Sequence, residues 1–177
     1  LYAQQIIDRK PASVCLAGFS IGGVTALETA RRLQAEGMRV DLLALIDTLY
    51  PHAFLRARRL WQLSGWLIRR LHIQELSMNG RRLGALFSDA GLLVQVEALG
   101  RYALHPYDGP ALLIKSSGLL AWQRWLFAPW RKLMTSELTE TETPGLHGSL
   151  FEPTNLGALA DILRTQAGAV PRDRDAA

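Results

Sequence analysis

Five residues near the start of the chain could place a nucleophilic serine on a tight turn. They read Gly18-Phe19-Ser20-Ile21-Gly22 and match G-x-S-x-G, directly after an apolar run and directly before a helical pattern. We expect side chains at Gly18 and Gly22 to collide in such a turn, here called the elbow, which would explain both glycines. Ser20 Oγ would be exposed, and the Ile21 N–H, at a helix N-terminus, would face a developing oxyanion. The alternative is a helix capped by Ser20 beside chance glycines.

A serine hydroxyl is a weak nucleophile at neutral pH, so it needs a histidine to accept its proton and a carboxylate to orient that histidine. Of the four histidines, His147 lies in a Pro-Gly loop after the last predicted strand, at the end of a parallel sheet where active sites gather. His52, His72 and His105 lie in turn-like or arginine-rich surroundings and are expected to be surface or half-buried polar residues. We therefore predict that His147 is the general base, with a solvated loop histidine as the alternative.

The orienting acid is predicted to be Asp47. In α/β-hydrolases the acid usually follows the strand two beyond the elbow strand, here Ala111–Lys115, but that strand runs into Ser-Ser-Gly and is followed by no carboxylate. Asp47 ends the strand next to the elbow strand, and the order Ser20, Asp47, His147 is the one that α/β-hydrolases use. A turn or helix cap is the alternative for Asp47. Asp108 is the competing acid and is interpreted as a turn residue.

A mostly parallel α/β sheet is expected to position these residues. Apolar runs predict strands at 11–19, 40–46 and 111–115, and a weak Thr-rich alternation predicts an edge strand at 137–143. Amphipathic spacing predicts helices at 24–36 and 154–166. The first strand, helix and second strand form a βαβ unit, which makes the sheet parallel. The elbow strand is expected to be buried on both faces, with Cys15 as a small core residue. Residues 51–104 have a helical pattern that no strand candidate interrupts.

The composition narrows the class of protein. The chain has 177 residues, 49% of them hydrophobic, and 20 Lys and Arg against 16 Asp and Glu give a formal net charge of +4. Much of the arginine lies between Arg56 and Arg82, whereas a protein that binds nucleic acid would spread its charge more widely. No signal sequence and no uncharged apolar run of about 18 residues occur, so secretion and a membrane span are disfavoured and a cytoplasmic protein is expected. A single cysteine and no zinc motif predict no metal.

Several segments of the chain match one enzyme family. They are residues 16–23, 28–33, 40–47, 106–110 and 144–148, together with Trp130 and the Glu-Pro pair at 152–153. They resemble the thioesterase domain that terminates nonribosomal peptide synthetases and polyketide synthases, which is an α/β-hydrolase. Placement of the acid after the strand that follows the elbow is a mark of this subgroup. The resemblance implies that Ser20 is the nucleophile, Asp47 the orienting acid and His147 the general base. Phe19 departs from the His or Trp common at its position and is expected to alter the pocket wall rather than the chemistry.

The family implies a substrate and a partner as well. The substrate would be a hydrophobic acyl or peptidyl chain, held as a thioester on the phosphopantetheine arm of an upstream carrier protein domain, with no cofactor in the thioesterase domain itself. Attack by Ser20 would give an acyl-enzyme, and water or an internal hydroxyl or amine would release an acid or a macrocycle. A helical lid at about 51–104, with Trp61 and Trp66, would suit such a chain. The alternatives are a free-standing esterase or lipase of the same fold, and a noncatalytic module that binds a membrane or partner through a helix at about 53–72.

The domain is expected to lack its N-terminal part. The chain starts at Leu1 rather than Met, and a domain of this type has further strands before the elbow, one of which precedes the loop that donates the second oxyanion N–H. Residues 1–170 would then be the C-terminal part of the domain, a partial α/β-hydrolase fold whose elbow strand is a bare edge, and 171–177 a polar tail. We expect this chain to be weakly active or inactive, because loss of an oxyanion donor costs about two orders of magnitude or more in rate.

Overall fold

In a computed structural model of the chain, the structure describes residues 2–53, 56, 77–78, 81–82, 90–118 and 121–169. The elements in chain order are α1 (Tyr2–Ile7), β1 (Ser13–Phe19), α2 (Gly22–Ala35), β2 (Arg39–Ile46), β3 (Ser77–Met78), β4 (Arg81–Arg82), α3 (Ala90–Arg101), β5 (Ala111–Ser116), a 3-10 helix (Ala121–Leu126), α4 (Trp130–Leu133), β6 (Leu138–Thr143), a 3-10 turn (His147–Ser149) and α5 (Pro153–Gly168).

The four predicted strands form one parallel sheet in the order β1-β2-β5-β6. Strand β2 pairs with β1 on one side and with β5 on the other, and α2 makes the connection from β1 to β2. Because all four strands are parallel, their carboxyl ends lie at the same edge of the sheet. The predicted α/β class is confirmed, and this edge brings together the chain segments that follow each strand.

Both faces of the sheet are covered. On one face, Leu27 and Leu33 of α2 pack with Leu43 and Leu45 of β2 in a single buried cluster. On the other face, Leu159 of α5 lies in a second cluster with the alternate residues of β2 and β5. Side chains alternate along a strand, so the uninterrupted apolar run of β2 supplies both clusters. Complete burial of each leucine is worth about 1.5–3 kcal/mol.

Strand β1 is an edge strand, and the expectation that it is buried on both faces is wrong. Of its seven residues only Gly18 is buried, and Cys15 is exposed rather than part of the core. The physical reason is its place in the sheet: among the described residues, β1 has β2 as its single strand neighbour. The expected bare edge at the elbow strand is therefore present.

Residues 51–104 contain two short strands, so the expectation of no strand there is wrong. Strands β3 and β4 pair antiparallel, with Ser77 opposite Arg82 and Met78 opposite Arg81. The sequence between them is Asn-Gly, which is typical of two-residue hairpin connections and was the missed signal. Helix α3 lies in the same region, whereas the rest of the predicted lid and the tail at 171–177 lie largely or wholly outside the described residues. In the described part of the chain, no helix is long and apolar enough to cross a membrane.

Candidate active site

Ser20 lies on the turn between β1 and α2, in a backbone conformation that few non-glycine residues adopt. Its φ is +54°, in the left-handed region. Such a residue costs of order 1–3 kcal/mol and persists only where its surroundings enforce it. Two backbone hydrogen bonds do so here, because the Ser20 N–H donates to the Ile46 carbonyl at 2.8 Å and the Gly23 N–H donates to the Ser20 carbonyl at 3.1 Å. The predicted strand, turn and helix around Ser20 are confirmed.

The glycines of the elbow fit the prediction at one position and contradict it at another. A Cβ on Gly18 would lie 2.3 Å from the Gly22 carbonyl oxygen, so no side chain fits there. A Cβ on Gly22 would meet nothing within 4 Å, and the expected collision at Gly22 is wrong. The crowded partner is Gly23, whose Cβ would lie 2.0 Å from Thr48 Oγ1. The first turn of α2 therefore passes close to β1 and to the segment after β2 at Gly23, while Gly22 faces solvent.

The Ile21 N–H is placed at the amino end of α2. Ile21 is the N-cap of this 14-residue helix, with φ −58° and ψ −32°. Among the described residues, the Ile21 N–H makes no hydrogen bond. The positive end of the helix dipole adds to the attraction of this N–H for negative charge. The geometry leaves the predicted oxyanion donor available.

Asp47 is a buried carboxylate with three donors. It directly follows β2, has a φ of +45° and is 1% exposed. His147 Nδ1 lies 2.7 Å from Asp47 Oδ2. The Ser116 N–H donates to Oδ1 at 3.0 Å, and the Ser116 hydroxyl lies 3.1 Å from both carboxylate oxygens. A buried carboxylate is tolerated only when it is hydrogen-bonded and paired, and these contacts meet that need.

His147 stands between Asp47 and the elbow. It begins the 3-10 turn after β6, and its side chain is 42% exposed. Its ring stacks on Phe19, the residue before Ser20, with centroids 4.7 Å apart and an interplanar angle of 25°. The structure thus brings the predicted histidine to the predicted acid and onto Phe19, the residue before the predicted serine. Ser20 and His147 make no direct hydrogen bond, which is common for catalytic pairs without substrate.

The other candidates for acid and base make different contacts. His52 Nε2 lies 3.3 Å from the Tyr102 carbonyl oxygen, and His105 is exposed. Asp108 accepts hydrogen bonds from the hydroxyls of Thr135 and Ser136. His72 lies outside the described residues. These contacts agree with polar or turn positions and leave Asp47 and His147 as the pair beside Ser20.

Sequence reasoning missed several residues that support the site. It searched the end of β5 for a carboxylate and overlooked Ser116, although β2 and β5 are neighbours and their ends must meet. It also overlooked Thr48, which is fully buried and accepts at its carbonyl a 2.7 Å hydrogen bond from the Trp130 indole N–H. Phe19, which is expected to form part of the pocket wall, also stacks its ring on His147. The strand order was the available signal for Ser116; no sequence pattern indicated the others.

A charged pair lies next to this cluster. Lys115 Nζ, one residue before Ser116, lies 2.8 Å from Glu140 Oε2. Burial alone would raise the pKa of Glu140, but hydrogen bonds from Arg131 and Lys115 outweigh it and hold that pKa below its usual range. The pair joins β5 to the edge strand β6 and so supports the strand that leads to His147. Within the described ranges, no group of three or more His, Cys, Asp or Glu side chains could hold a metal ion.

This chain is similar to solved thioesterase domains and to part of a nonribosomal peptide synthetase. The NocB thioesterase domain, in covalent complex with a fluorophosphonate nocardicin G analogue, has a TM-score of 0.64 at 27% identity, over 95% of this chain and 72% of that chain. The Vlm2 thioesterase domain bound with a dodecadepsipeptide has a TM-score of 0.61 at 19% identity, over 91% and 72%. AB3403, a four-domain nonribosomal peptide synthetase bound to AMP and glycine, has a TM-score of 0.62 at 24% identity, over 96% and 16%. The last two, at their low identity, show the fold alone.

Sequence comparison assigns the family. No match is found among curated proteins. The family model described as the thioesterase domain matches residues 1–167, which is nearly the whole chain. The parallel sheet, its flanking helices and the elbow at its carboxyl edge agree with the α/β-hydrolase type of fold seen in the solved relatives. The chain therefore belongs to the thioesterase domain family.

Proposed function

We propose that this chain is a chain-releasing thioesterase that works through an acyl-enzyme on Ser20, with His147 as general base and Asp47 as its orienting acid. The observation that carries the proposal is the 2.7 Å contact of His147 Nδ1 with the buried Asp47, beside a serine on a strained elbow. Membership of the thioesterase domain family supports the reaction class. A noncatalytic module would have no need for these three residues to converge.

The first half-reaction forms the acyl-enzyme. Ser20 Oγ attacks the carbonyl carbon of a thioester while His147 Nε2 accepts the hydroxyl proton. The oxyanion of the tetrahedral intermediate lies near the Ile21 N–H, where that donor and the α2 dipole stabilise it. The intermediate collapses, the carbon–sulfur bond breaks, and His147 returns the proton to the thiol. Asp47 holds the imidazolium that exists between these two transfers.

The second half-reaction releases the chain. His147 takes a proton from water, or from a hydroxyl or amine of the bound chain, and this nucleophile attacks the Ser20 ester. Collapse returns the proton to Ser20 Oγ and frees an acid in the first case and a macrocycle in the second. His147 is 42% exposed, so its Nε2 side can be reached by either nucleophile.

The proposed substrate is a hydrophobic acyl or peptidyl chain carried on the phosphopantetheine arm of an upstream carrier protein domain. The likeness to a thioesterase domain that is solved with a nocardicin G analogue, and to part of a four-domain synthetase, supports this source. Exposed apolar side chains at Phe151 and Leu156, which follow His147 closely in the chain, favour an apolar ligand there. No cofactor is needed in this chain, and the cytoplasmic location stays a prediction.

Covalent labelling tests the proposed nucleophile. A fluorophosphonate probe should label the wild-type chain at one site, and Ser20→Ala should abolish labelling because it removes the proposed nucleophile. His147→Gln should slow labelling by about a thousandfold or more, since members of a catalytic triad act as a unit. Ser117→Ala is the matched control, because Ser117 is an exposed serine that lies outside the elbow. Undiminished labelling of Ser20→Ala would refute the assignment.

A further inference from the structure

We propose that Phe19 is a positioning residue that fixes the plane of the His147 ring beside Ser20. The proposal rests on the proposed function and adds to it a residue that never touches the reacting atoms. It starts from one contact: the two rings are stacked with centroids 4.7 Å apart and planes 25° apart. A face-to-face contact of this kind restrains ring orientation, which a hydrogen bond at one ring atom does not.

His147 needs a second restraint. The hydrogen bond to Asp47 Oδ2 holds Nδ1 at 2.7 Å, but the imidazole can still pivot about that bond. The Ser149 N–H donates to the Leu146 carbonyl in the 3-10 turn that begins at His147, but this bond fixes the backbone and leaves the side-chain torsions of His147 free. The side chain is 42% exposed, so solvent covers part of it. The face against Phe19 is therefore the packed surface that can stop the ring from turning.

Phe19 is itself held firmly. It is the last residue of β1 and pairs with Ile46 of β2. Its side chain packs against the buried cluster that β2 and β5 form with α5. Phe151 contacts the Phe19 ring edge to face, with centroids 4.9 Å apart and planes 82° apart. The segment 147–151 thus touches Phe19 with two rings, one from His147 and one from Phe151.

The same residue couples the histidine to the nucleophile. Phe19 and Ser20 share one peptide unit, and the N–H of that unit donates to the Ile46 carbonyl at 2.8 Å. This one hydrogen bond to β2 therefore fixes the position of both the Phe19 ring, which orients His147, and Ser20 Oγ, which must reach His147. Beyond the contribution of its burial, a stacked aromatic pair changes an equilibrium constant by a factor of about 2 to 12. Misplacement of a catalytic group lowers the rate by a larger factor.

NMR tests the positioning directly, without any need for activity. In the 177-residue chain carrying ¹³C-labelled histidine, the His147 ring C–H signals are assigned by their loss in His147→Gln. Ring current from Phe19 should place them upfield of their position in Phe19→Leu, which keeps an apolar side chain but no ring. Phe19→Tyr should restore the wild-type position. Tyr2→Leu, which removes an exposed ring from α1, is the control and should leave the signals unmoved.

The rate of fluorophosphonate labelling tests the consequence. Phe19→Leu should lower the second-order rate constant of labelling by a factor of about 2 to 12 or more. Phe19→Tyr should restore this rate constant, and Tyr2→Leu should not change it. Circular dichroism of each variant checks that it folds, and Phe19→Met, which also lacks a ring, takes the place of Phe19→Leu if the Leu variant does not fold. The proposal fails if the His147 signals stay in place in Phe19→Leu, or if they move while labelling is unchanged. Labelling of the wild-type chain at a residue other than Ser20 would instead overturn the proposed function, and with it the inference, whatever the NMR shows.

Discussion

Strained backbone marks the chemistry at the residue scale. Three non-glycine residues among those described have positive φ, and two of them are Ser20 and Asp47. They directly follow the neighbouring strands β1 and β2, so the strain is concentrated at one place on the sheet edge. Strain of order 1–3 kcal/mol per residue is kept where the surrounding structure enforces a geometry. Here it turns the serine and the carboxylate out of their strands.

Ser116 is predicted to hold Asp47 in place. Ser116→Ala removes the hydroxyl that lies 3.1 Å from both oxygens of a carboxylate that is 1% exposed. We expect the free energy of unfolding to fall by about 1–3 kcal/mol, because the buried carboxylate loses a partner. Urea denaturation measures the change. Fluorophosphonate labelling should slow as well, because the acid is then less firmly oriented.

The adjacent serine is the control for this prediction. Ser117 is exposed, and Ser117→Ala should change the free energy of unfolding by no more than about 0.5 kcal/mol. Equal effects of the two substitutions would show that the Ser116 hydroxyl does not stabilise Asp47.

At the scale of elements, the site depends on how closely the first turn of α2 approaches the segment after β2. Thr48 fills the space beside Gly23 and donates its hydroxyl to the Ile46 carbonyl at 3.3 Å, and its own carbonyl accepts the Trp130 indole N–H at 2.7 Å. Helix α4 is thereby joined to the segment that carries Asp47. The elbow and the acid are held by the same close contact.

Gly23→Ala should therefore damage the fold. Its Cβ would lie 2.0 Å from Thr48 Oγ1, and overpacking of this kind costs about 1–3 kcal/mol. Gly22→Ala is the matched control, one residue earlier in the same helix, and should be neutral or stabilising by up to about 1 kcal/mol. Thermal or urea unfolding compares the two. Adding Thr48→Ala to Gly23→Ala should recover part of the loss; no recovery would argue that the contact with Thr48 is not the cause.

At the scale of the whole molecule, the main sheet and the positions of the candidate site residues could be predicted from the sequence. Apolar runs located three strands of the main sheet and a weak Thr-rich alternation the fourth, and the G-x-S-x-G pattern with two strand ends located Ser20, Asp47 and His147, whose roles stay predictions. These succeed because burial and turn chemistry are local. Burial of β1 could not be predicted from its apolar run, because its edge position depends on which strands surround it. The contacts of Ser116, Gly23 and Phe19 could not be predicted, because they join segments far apart in the chain.

The chain spans only part of the solved proteins to which it is similar. The chain covers 72% of the NocB thioesterase domain and 16% of the four-domain synthetase to which it is similar. Family, fold and the geometry of the described site follow from the chain itself, whereas the carrier domain and the acyl chain are proposals. Reaction of Ser20 with a thioester is therefore the central point to test.

Acylation by a thioester tests that point most directly. The chain is incubated with a short acyl thioester of N-acetylcysteamine, quenched with acid, and analysed by intact mass and by fragmentation of the elbow peptide. We expect one acyl group on Ser20, absent in Ser20→Ala and strongly reduced in His147→Gln. Exposed Cys15 lies in the same peptide and could exchange with a thioester, so Cys15→Ala must retain the label. Acyl groups found on Cys15 alone, or equally in wild type and Ser20→Ala, would show that Ser20 is not the nucleophile.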